Sequence, residues 1–199
     1  MSDILVLYYS RRGATEALAR EVCQGVDSVD SMSARLRTVT PVSTVAEATQ
    51  DTIPDDGPPY ASVRDLVECQ GLVMGSPTHF GNMAAPLQYF LEGTVGEWLA
   101  GAASGKPAGV FTSTSSIHGG QESTLLTMAL PLLHHGMLLV GVPYTEPALS
   151  ASTTGGTPYG ASHVSWNRDT DTLSDEEKEL ARALGRRVAD TARRLDAST

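Results

Sequence analysis

Apolar positions in this chain predict strands that alternate with helices. Residues 4–8, Ile-Leu-Val-Leu-Tyr, form an unbroken apolar run, which is typical of a strand buried on both faces of a parallel sheet. From Ala14 to Val26 the apolar residues recur at helical spacing, so a strand, a short loop and a helix follow in order. The alternation predicts an α/β fold with a doubly wound, parallel five-stranded sheet and helices on both faces. The other four strand candidates are residues 34–38, 71–74, 108–112 and 137–140.

Two segments outside this alternation complete the predicted organisation. Residues from about 41 to 60 are rich in Pro and Asp and predict a loop excursion. Residues from about 174 to 195 predict a C-terminal amphipathic helix, in which Ser174 is the N-cap and Glu177 completes a capping box. No internal repeat divides the chain, so we expect a single domain over residues 1–199.

Composition limits the classes of protein to consider. Of the 199 residues, 41% are hydrophobic and 19% are charged, which suits one globular domain. The net charge of −9 argues against general nucleic-acid binding, which needs clustered Lys and Arg. No apolar run reaches the roughly 18 to 20 residues of a membrane-spanning helix, and the start Met1-Ser2-Asp3 is unlike a secretory signal. We therefore expect a cytoplasmic protein that does not enter a membrane.

The chain has two cysteines, and neither is expected to take part in chemistry. Cys23 and Cys69 are isolated and lack the spacing of metal ligands. In a cytosolic chain of this size, we expect both to be buried thiols rather than a disulfide. No metal site is predicted.

Polar residues at 10–15 join the first predicted strand to its helix. The N–H groups and the dipole at a helix N-terminus favour an anion, and two hydroxyls and two guanidinium groups indicate a phosphate. The spacing fits neither a Walker A loop nor the Gly-x-Gly-x-x-Gly fingerprint, which disfavours an ATPase or a Rossmann protein. Taken alone, the loop is also compatible with an ordinary polar turn. The candidate phosphate-binding residues are Ser10, Arg11, Arg12, Gly13, Ala14 and Thr15.

Two more polar loops follow predicted strands, at residues 75–83 and 112–122. Ligands of open α/β sheets bind outside the carboxyl ends of the strands, so we expect the three loops to converge on one crevice. Their Gly and hydroxyl residues allow the backbone to approach the edge of a planar ring. The triplet His118-Gly119-Gly120 is similar to an esterase oxyanion loop, but the chain has no Gly-x-Ser-x-Gly nucleophile elbow. A hydrolase is therefore disfavoured.

The three loops resemble those of the WrbA family of NAD(P)H:quinone oxidoreductases, which are flavodoxin-like FMN proteins, and the resemblance covers nearly the whole chain. Residues 77–83, Pro-Thr-His-Phe-Gly-Asn-Met, match the family's Pro-Thr-Arg-Phe-Gly-Asn-Met, except that His79 replaces the usual Arg. Residues 134–136, His-His-Gly, and 155–161, Gly-Gly-Thr-Pro-Tyr-Gly-Ala, also match. The resemblance implies a flavodoxin-like fold and FMN bound by the phosphate loop together with Pro77, Thr78, His79, Phe80, Gly81, Asn82, Ser113, Thr114, Ser115, Ser116, His118, Gly119 and His134.

The same resemblance implies an activity and an assembly. WrbA-type enzymes reduce quinones to hydroquinones by two electrons from NADH or NADPH in a ping-pong mechanism, with the chemistry carried by the flavin and by no catalytic side chain. Trp98 and Arg12 are the implied substrate-binding residues, and a core position is the structural alternative for Trp98. The family forms homotetramers, as dimers of dimers, in which neighbouring subunits complete the flavin pockets.

Two other functions remain open at this stage. A flavodoxin-like one-electron carrier would have the same fold and FMN, and the strong acidity would suit docking to basic redox partners. A partner-binding module is less favoured, because such a protein needs no phosphate loop.

Overall fold

The chain folds into a parallel sheet with helices packed on both faces. The computed structural model describes residues 2–42, 57–166 and 172–196. The elements in chain order are β1 Ser2–Tyr8, α1 Ala14–Asp27, β2 Met32–Thr38, α2 Val63–Glu68, β3 Gly71–Pro77, α3 Ala85–Glu92, α4 Val95–Leu99, β4 Pro107–Thr114, α5 Gln121–His134, β5 Leu138–Leu139, α6 Pro147–Ala151, β6 Ala161–Val164 and α7 Asp175–Asp196.

The strand order is β2-β1-β3-β4-β5, and every strand pair is parallel. This is the order of the flavodoxin-like, doubly wound fold, so the predicted fold class is confirmed. The fifth position is shared by two short strands: β5 pairs with the start of β4, and β6 pairs with its end. The chain leaves the sheet after β5 and returns to it through residues 140–160.

The alternating side chains of β1 explain its unbroken apolar run. Ile4 and Val6 belong to a core cluster with residues of α1 and α7 on one face of the sheet. Leu5 and Leu7 belong to a second cluster with residues of α3 and α5 on the other face. Both faces of the strand are buried, which accounts for the apolar side chains at every position from Ile4 to Leu7.

The C-terminal helix is capped as the sequence predicts. The Glu177 backbone N–H donates to Ser174 Oγ at 3.2 Å, and the Ser174 N–H donates to Glu177 Oε2 at 2.9 Å. This helix packs closely against α1. A Cβ atom on Gly185 would lie only 2.1 Å from the Val22 carbonyl oxygen, so only a glycine fits at this position. The two helices together form the layer that covers β1 and β4 on this face of the sheet.

Three further expectations concern the loops, the cysteines and the membrane. The predicted excursion at about 41–60 lies largely outside the described residues, which resume at Gly57 and include a bridge between Thr38 and Tyr60. Cys69 is buried and Cys23 half-buried, and both are free thiols. Within the described ranges, no helix is both long enough and apolar enough to cross a membrane.

Candidate functional site

A cavity of about 330 Å³ opens at the carboxyl ends of β1, β3 and β4. Its walls come from the three loops that the sequence singles out, together with one residue after β6. This is the edge at which ligands bind in doubly wound sheets. The predicted convergence of the three loops is therefore observed.

The loop between β1 and α1 forms the end of the cavity that suits an anion. Gly13 is the N-cap of α1 with φ of 89°, a left-handed conformation that favours glycine, and no side chain caps the helix. The Gly13 N–H donates to Ser10 Oγ at 3.1 Å. The uncapped N–H groups and the helix dipole make this end suitable for a phosphate. Five of the six predicted loop residues line the cavity, namely Ser10, Arg11, Arg12, Ala14 and Thr15.

Two hydroxyl groups from distant parts of the chain meet at this end. Thr15 is buried, and its Oγ1 lies 2.9 Å from Ser113 Oγ at the end of β4. The guanidinium-bearing residues Arg11 and Arg12 are exposed at the rim. No Asp or Glu is among the cavity-lining residues in the described part of the chain. Among these described lining residues, the permanent charges are the positive charges of Arg11 and Arg12.

A tight hairpin after β3 forms the second wall. The His79 N–H donates to the Asn82 carbonyl at 2.8 Å, and the Asn82 N–H donates back to the His79 carbonyl at 3.0 Å. Phe80 and Gly81 occupy the turn with φ of 53° and 76°, and the Phe80 ring is fully exposed. Pro77, Thr78 and His79 line the cavity, whereas Phe80, Gly81 and Asn82 form the turn beside it.

The base of this hairpin is anchored to β4. The Thr78 N–H donates to the Ser113 carbonyl at 2.9 Å, and Thr78 Oγ1 lies 3.2 Å from Thr112 Oγ1. The buried Ser76 hydroxyl accepts the Ala84 N–H at 2.8 Å. These bonds hold the backbone of the hairpin in a fixed position relative to the cavity.

The loop after β4 forms the third wall. Thr114 Oγ1 donates to the Ser116 carbonyl at 2.8 Å, and the Gly119 N–H donates to the same carbonyl at 3.0 Å. The loop is thus folded on itself before α5 begins. Ser113, Thr114 and Ser115 line the cavity, whereas Ser116, His118 and Gly119 lie further along the loop and do not line it.

Ser165 also lines the cavity, although it is not among the residues that the sequence predicts there. Its N–H and its hydroxyl both donate to the Thr114 carbonyl, at 2.9 and 3.2 Å. It directly follows β6, a strand that lacks a continuous apolar run. The nearest feature that the sequence indicates is the Gly-Gly-Thr-Pro-Tyr-Gly-Ala match at residues 155–161, for which no catalytic step is predicted.

Trp98 and His134 lie elsewhere in the subunit. Trp98 belongs to α4, and its indole Nε1 donates to the His134 carbonyl at 2.6 Å. Both residues line a separate apolar cavity of about 390 Å³ at the end of α5. The loop between β4 and α5, which lines the first cavity, joins the opposite end of this 14-residue helix, about 20 Å away at 1.5 Å per residue. Within one subunit, these two residues are not brought to the first cavity.

His135 is the C-cap residue of α5 and contacts the N-cap residue of α4. Its Nε2 lies 3.1 Å from the buried Thr94 hydroxyl. Burial lowers the pKa of His135 from its ordinary value, and the carboxylate of Glu97 opposes that change. The side chain therefore joins α5 to α4.

Within the described ranges, no group of three or more His, Cys, Asp or Glu residues has the arrangement of a metal site.

Comparisons with known proteins agree with this architecture. A family model described as NADPH-dependent FMN reductase matches residues 2–146. A Chromohalobacter salexigens protein named NAD(P)H dehydrogenase (quinone) is 41% identical, over 98% of this chain and 99% of its own. A Solidesulfovibrio magneticus protein of the same name is 39% identical, over 98% of this chain and 100% of its own.

Solved structures show the same fold. A WrbA-like flavodoxin from Agrobacterium tumefaciens has a TM-score of 0.70 at 23% identity, covering 98% of this chain and 99% of that one. Flavodoxin 2 from Bacillus cereus has a TM-score of 0.58 at 17% identity, covering 98% and 99%. The resemblance predicted from the loops is confirmed, and the chain belongs to the NADPH-dependent FMN reductase family together with proteins named NAD(P)H dehydrogenase (quinone).

Proposed function

We propose that this protein is an FMN-dependent NAD(P)H:quinone oxidoreductase, which reduces quinones to hydroquinones by two electrons in a ping-pong mechanism. The observation that carries the proposal is the single cavity built from the three loops, in a chain about 40% identical to two proteins named NAD(P)H dehydrogenase (quinone) over nearly its full length. The family match to NADPH-dependent FMN reductases supports FMN as the flavin.

The chain's own residues bind and orient the cofactor. The N–H groups at the start of α1 and the hydroxyls of Ser10, Thr15 and Ser113 bind the phosphate, and the charges of Arg11 and Arg12 strengthen that binding. The hairpin after β3 and the loop after β4 would hold the flat ring between them. Bound there, FMN supplies the redox chemistry, accepting a hydride from NADH or NADPH and passing two electrons to a quinone.

No side chain is required to act as a general acid, a general base or a nucleophile in this proposal. The protein contributes a rigid cavity wall, a fixed phosphate position and an electropositive surface. The nicotinamide and the quinone bind in turn at the same open face, with Arg12 and Trp98 as their binding residues. Alternate binding at one site is the origin of the ping-pong kinetics.

We propose a homotetramer, arranged as a dimer of dimers, because the implied roles of Trp98 and His134 need a neighbouring subunit. Both residues lie about a helix length from the cavity of their own subunit. Leu126, Leu130 and Leu133 are each about half exposed on α5, at the helical spacing of one face. An apolar face of this kind supports burial against another copy. We place the enzyme in the cytoplasm.

The test is steady-state oxidation of NADH and NADPH by the FMN-reconstituted protein, with benzoquinone varied at several fixed nicotinamide concentrations. Quinone-dependent turnover with parallel double-reciprocal lines is expected. Intersecting lines would contradict a shared site. Turnover no faster than that of free FMN would contradict the proposed activity.

A flavodoxin-like one-electron carrier is the second candidate. It is favoured by the net charge of −9 and by the structural likeness to flavodoxins. A carrier of this kind would bind FMN and exchange electrons with a reduced protein partner, but would not oxidise NADH or NADPH directly. The same assay separates the two functions.

A further inference from the structure

We propose that Ser165 binds the hydroxyl-bearing ribityl chain of FMN, as a hydrogen-bond acceptor in the wall of the first cavity. The inference rests on the proposed function, because it concerns how the cavity would hold that cofactor. Ser165 follows β6 and lies outside the three loops that the sequence singles out, yet it lines the same cavity.

The position of Ser165 is fixed from two sides. Its N–H donates to the Thr114 carbonyl at 2.9 Å, which continues the pairing of β6 with β4. One residue earlier, the Val164 N–H donates to the buried carboxylate of Glu177 in α7 at 3.2 Å. The same carboxylate lies 2.8 Å from Nδ1 of His163, which is also on β6. Because β4 and α7 both anchor this end of the strand, the half-buried Ser165 is held in place before a ligand binds.

The hydroxyl protons on this side of the cavity are already engaged by the protein. Ser165 Oγ donates to the Thr114 carbonyl at 3.2 Å, and Thr114 Oγ1 donates to the Ser116 carbonyl at 2.8 Å. A carbonyl oxygen can only accept, so each hydroxyl uses its single proton in these bonds. The two oxygens therefore offer a ligand their lone pairs.

Thr78, at the base of the hairpin after β3, is oriented in the same way. Thr112 Oγ1 donates to the Ser76 carbonyl at 2.8 Å, so it accepts the proton of the Thr78 hydroxyl, 3.2 Å away. Thr124 Oγ1 in turn donates to Thr78 Oγ1 at 3.2 Å. The remaining lone pair of Thr78 is what this hydroxyl offers to a ligand. Three cavity-lining hydroxyls thus act as acceptors, and we call them the acceptor wall: Thr78, Thr114 and Ser165.

The loop between β1 and α1 has the opposite hydrogen-bonding character. Ser10 Oγ accepts the Gly13 N–H at 3.1 Å, so its own proton can be donated to a ligand. The uncapped N–H groups at the start of α1 are donors as well. The cavity therefore has a donor-rich end and an acceptor wall.

The groups of FMN match this division. Its phosphate only accepts hydrogen bonds and suits the donor-rich end, whereas lone pairs of the acceptor wall would repel phosphate oxygens. Its isoalloxazine ring presents several acceptors and a single N–H. The ribityl chain carries the hydroxyls that can donate, and it joins the ring to the phosphate. The acceptor wall, and Ser165 in it, therefore suits the ribityl chain.

Three flavins that differ in this chain test the assignment. They are FMN, riboflavin, which lacks the phosphate, and a flavin with a phosphopentyl chain, which has the phosphate but lacks the hydroxyls. Each is titrated into the wild type, Ser165→Ala and Ser162→Ala, with quenching of flavin fluorescence as the signal. Ser162 is the matched control, because it is a buried serine of the same strand that donates to Gln121 Oε1 at 2.8 Å and does not line the cavity.

We expect Ser165→Ala to raise Kd about two- to tenfold for FMN and for riboflavin, as the loss of one neutral hydrogen bond does. Its Kd for the phosphopentyl flavin should equal that of the wild type. Ser162→Ala should change the three Kd values by a common factor, if it changes them at all.

Two kinds of result would overturn the role of Ser165. An effect of Ser165→Ala that is equal for the three flavins, or absent for all of them, would show that its hydroxyl does not contact the ribityl chain. Weaker binding of FMN and the phosphopentyl flavin alone would place Ser165 at the phosphate. If the wild type binds none of the three flavins, the proposed function itself fails, and the role of Ser165 fails with it.

Discussion

Thr15 Oγ1 lies 2.9 Å from Ser113 Oγ, although the two residues are 98 positions apart in the chain. The contact joins the first turn of α1 to the end of β4, at the end of the cavity that we propose binds the phosphate. Thr15 is fully buried and Ser113 nearly so, which means that both hydroxyls have fixed positions before a ligand binds. Pre-organised donors of this kind contribute more to binding than flexible ones, because less rotational entropy is lost.

Removing two phosphate-binding hydroxyls should weaken FMN binding. Ser10→Ala with Thr15→Ala loses two charge-assisted hydrogen bonds of about 1.5–3 kcal/mol each, so Kd should rise roughly tenfold or more per residue. The measurement is a fluorescence titration with FMN. Ser28→Ala is the matched control, since it removes only a bond to the Gly25 carbonyl at the far end of α1. Unchanged affinity in the double variant would show that the phosphate binds elsewhere.

A charge on the exposed face of α5 should prevent assembly. Leu130 is 56% exposed and also lines the cavity beside Trp98 and His134. Leu130→Glu should therefore yield smaller species in light scattering after size-exclusion chromatography, with reduced quinone turnover and retained FMN binding. Leu195→Glu, at the end of α7, is the control with a similarly exposed leucine. Full quinone turnover by a monomeric Leu130→Glu protein would refute the role assigned to neighbouring subunits.

The buried pair of His163 and Glu177 should matter for stability and for its pH dependence. His163 Nδ1 donates to Glu177 Oε2 at 2.8 Å, and the same carboxylate accepts the N–H groups of Ser174 and Gly155 at 2.9 Å. Burial raises the pKa of Glu177, but the hydrogen bonds from His163 and Ser174 outweigh it and hold the pKa below its ordinary value. Breaking such a buried pair costs about 3–5 kcal/mol. Glu177→Ala should lower the free energy of unfolding by that amount.

The sign of the pH effect follows from the lowered pKa of Glu177. Its contribution is complete above the pKa of the unfolded state and is lost as pH falls through the lower pKa of the folded state. Urea unfolding of the wild type and Glu177→Gln from pH 3 to 7 should therefore show the stability difference shrinking at the acid end. A difference that grows on acidification would contradict this assignment.

Close packing between α1 and α7 predicts a large effect of a single methyl group. Gly185→Ala places a Cβ atom 2.1 Å from the Val22 carbonyl oxygen, so the helices must separate, at a cost of about 1–3 kcal/mol or more. Gly96→Ala is the control, because nothing lies within 4 Å of a Cβ there, and helix propensity favours Ala by up to about 1 kcal/mol. Urea midpoints compare the two variants. Equal midpoints would mean that the contact between α1 and α7 adjusts to the added methyl group without a loss of stability.

Local sequence patterns predicted the elements that carry a strong local signal, such as an unbroken apolar run or a capping box. The run at residues 4–8 became β1, and the capping box at Ser174 and Glu177 defines the start of α7. The fifth strand was less predictable. Its candidate, residues 137–140, yields only Leu138–Leu139 at an exposed edge, and the rest of that position is taken by β6, whose sequence Ala-Ser-His-Val has no continuous apolar run. The burial of β6 comes from tertiary packing, which cannot be predicted from the spacing of apolar residues in the sequence.

In the candidate site, too, some features could be predicted from the sequence and others could not. The three loops follow strands and precede helices, so their meeting at one edge could be predicted from element order alone. Ser165 could not, because it follows the unrecognised β6. Trp98 lies in the short helix α4, and neither it nor His134 reaches the first cavity within its own chain. A single sequence carries no signal for the proposed assembly.

In the proposed reaction, one cavity receives a hydride from a nicotinamide and gives two electrons to a quinone. Its most direct test is anaerobic stopped-flow absorbance of the FMN-loaded protein, mixed first with one equivalent of NADPH or NADH and then with one equivalent of benzoquinone. We expect the flavin absorbance to bleach and then to return fully, with both phases faster than those of free FMN. A different result would contradict the proposed hydride transfer: the FMN stays bound, but neither NADH nor NADPH reduces it faster than it reduces free FMN.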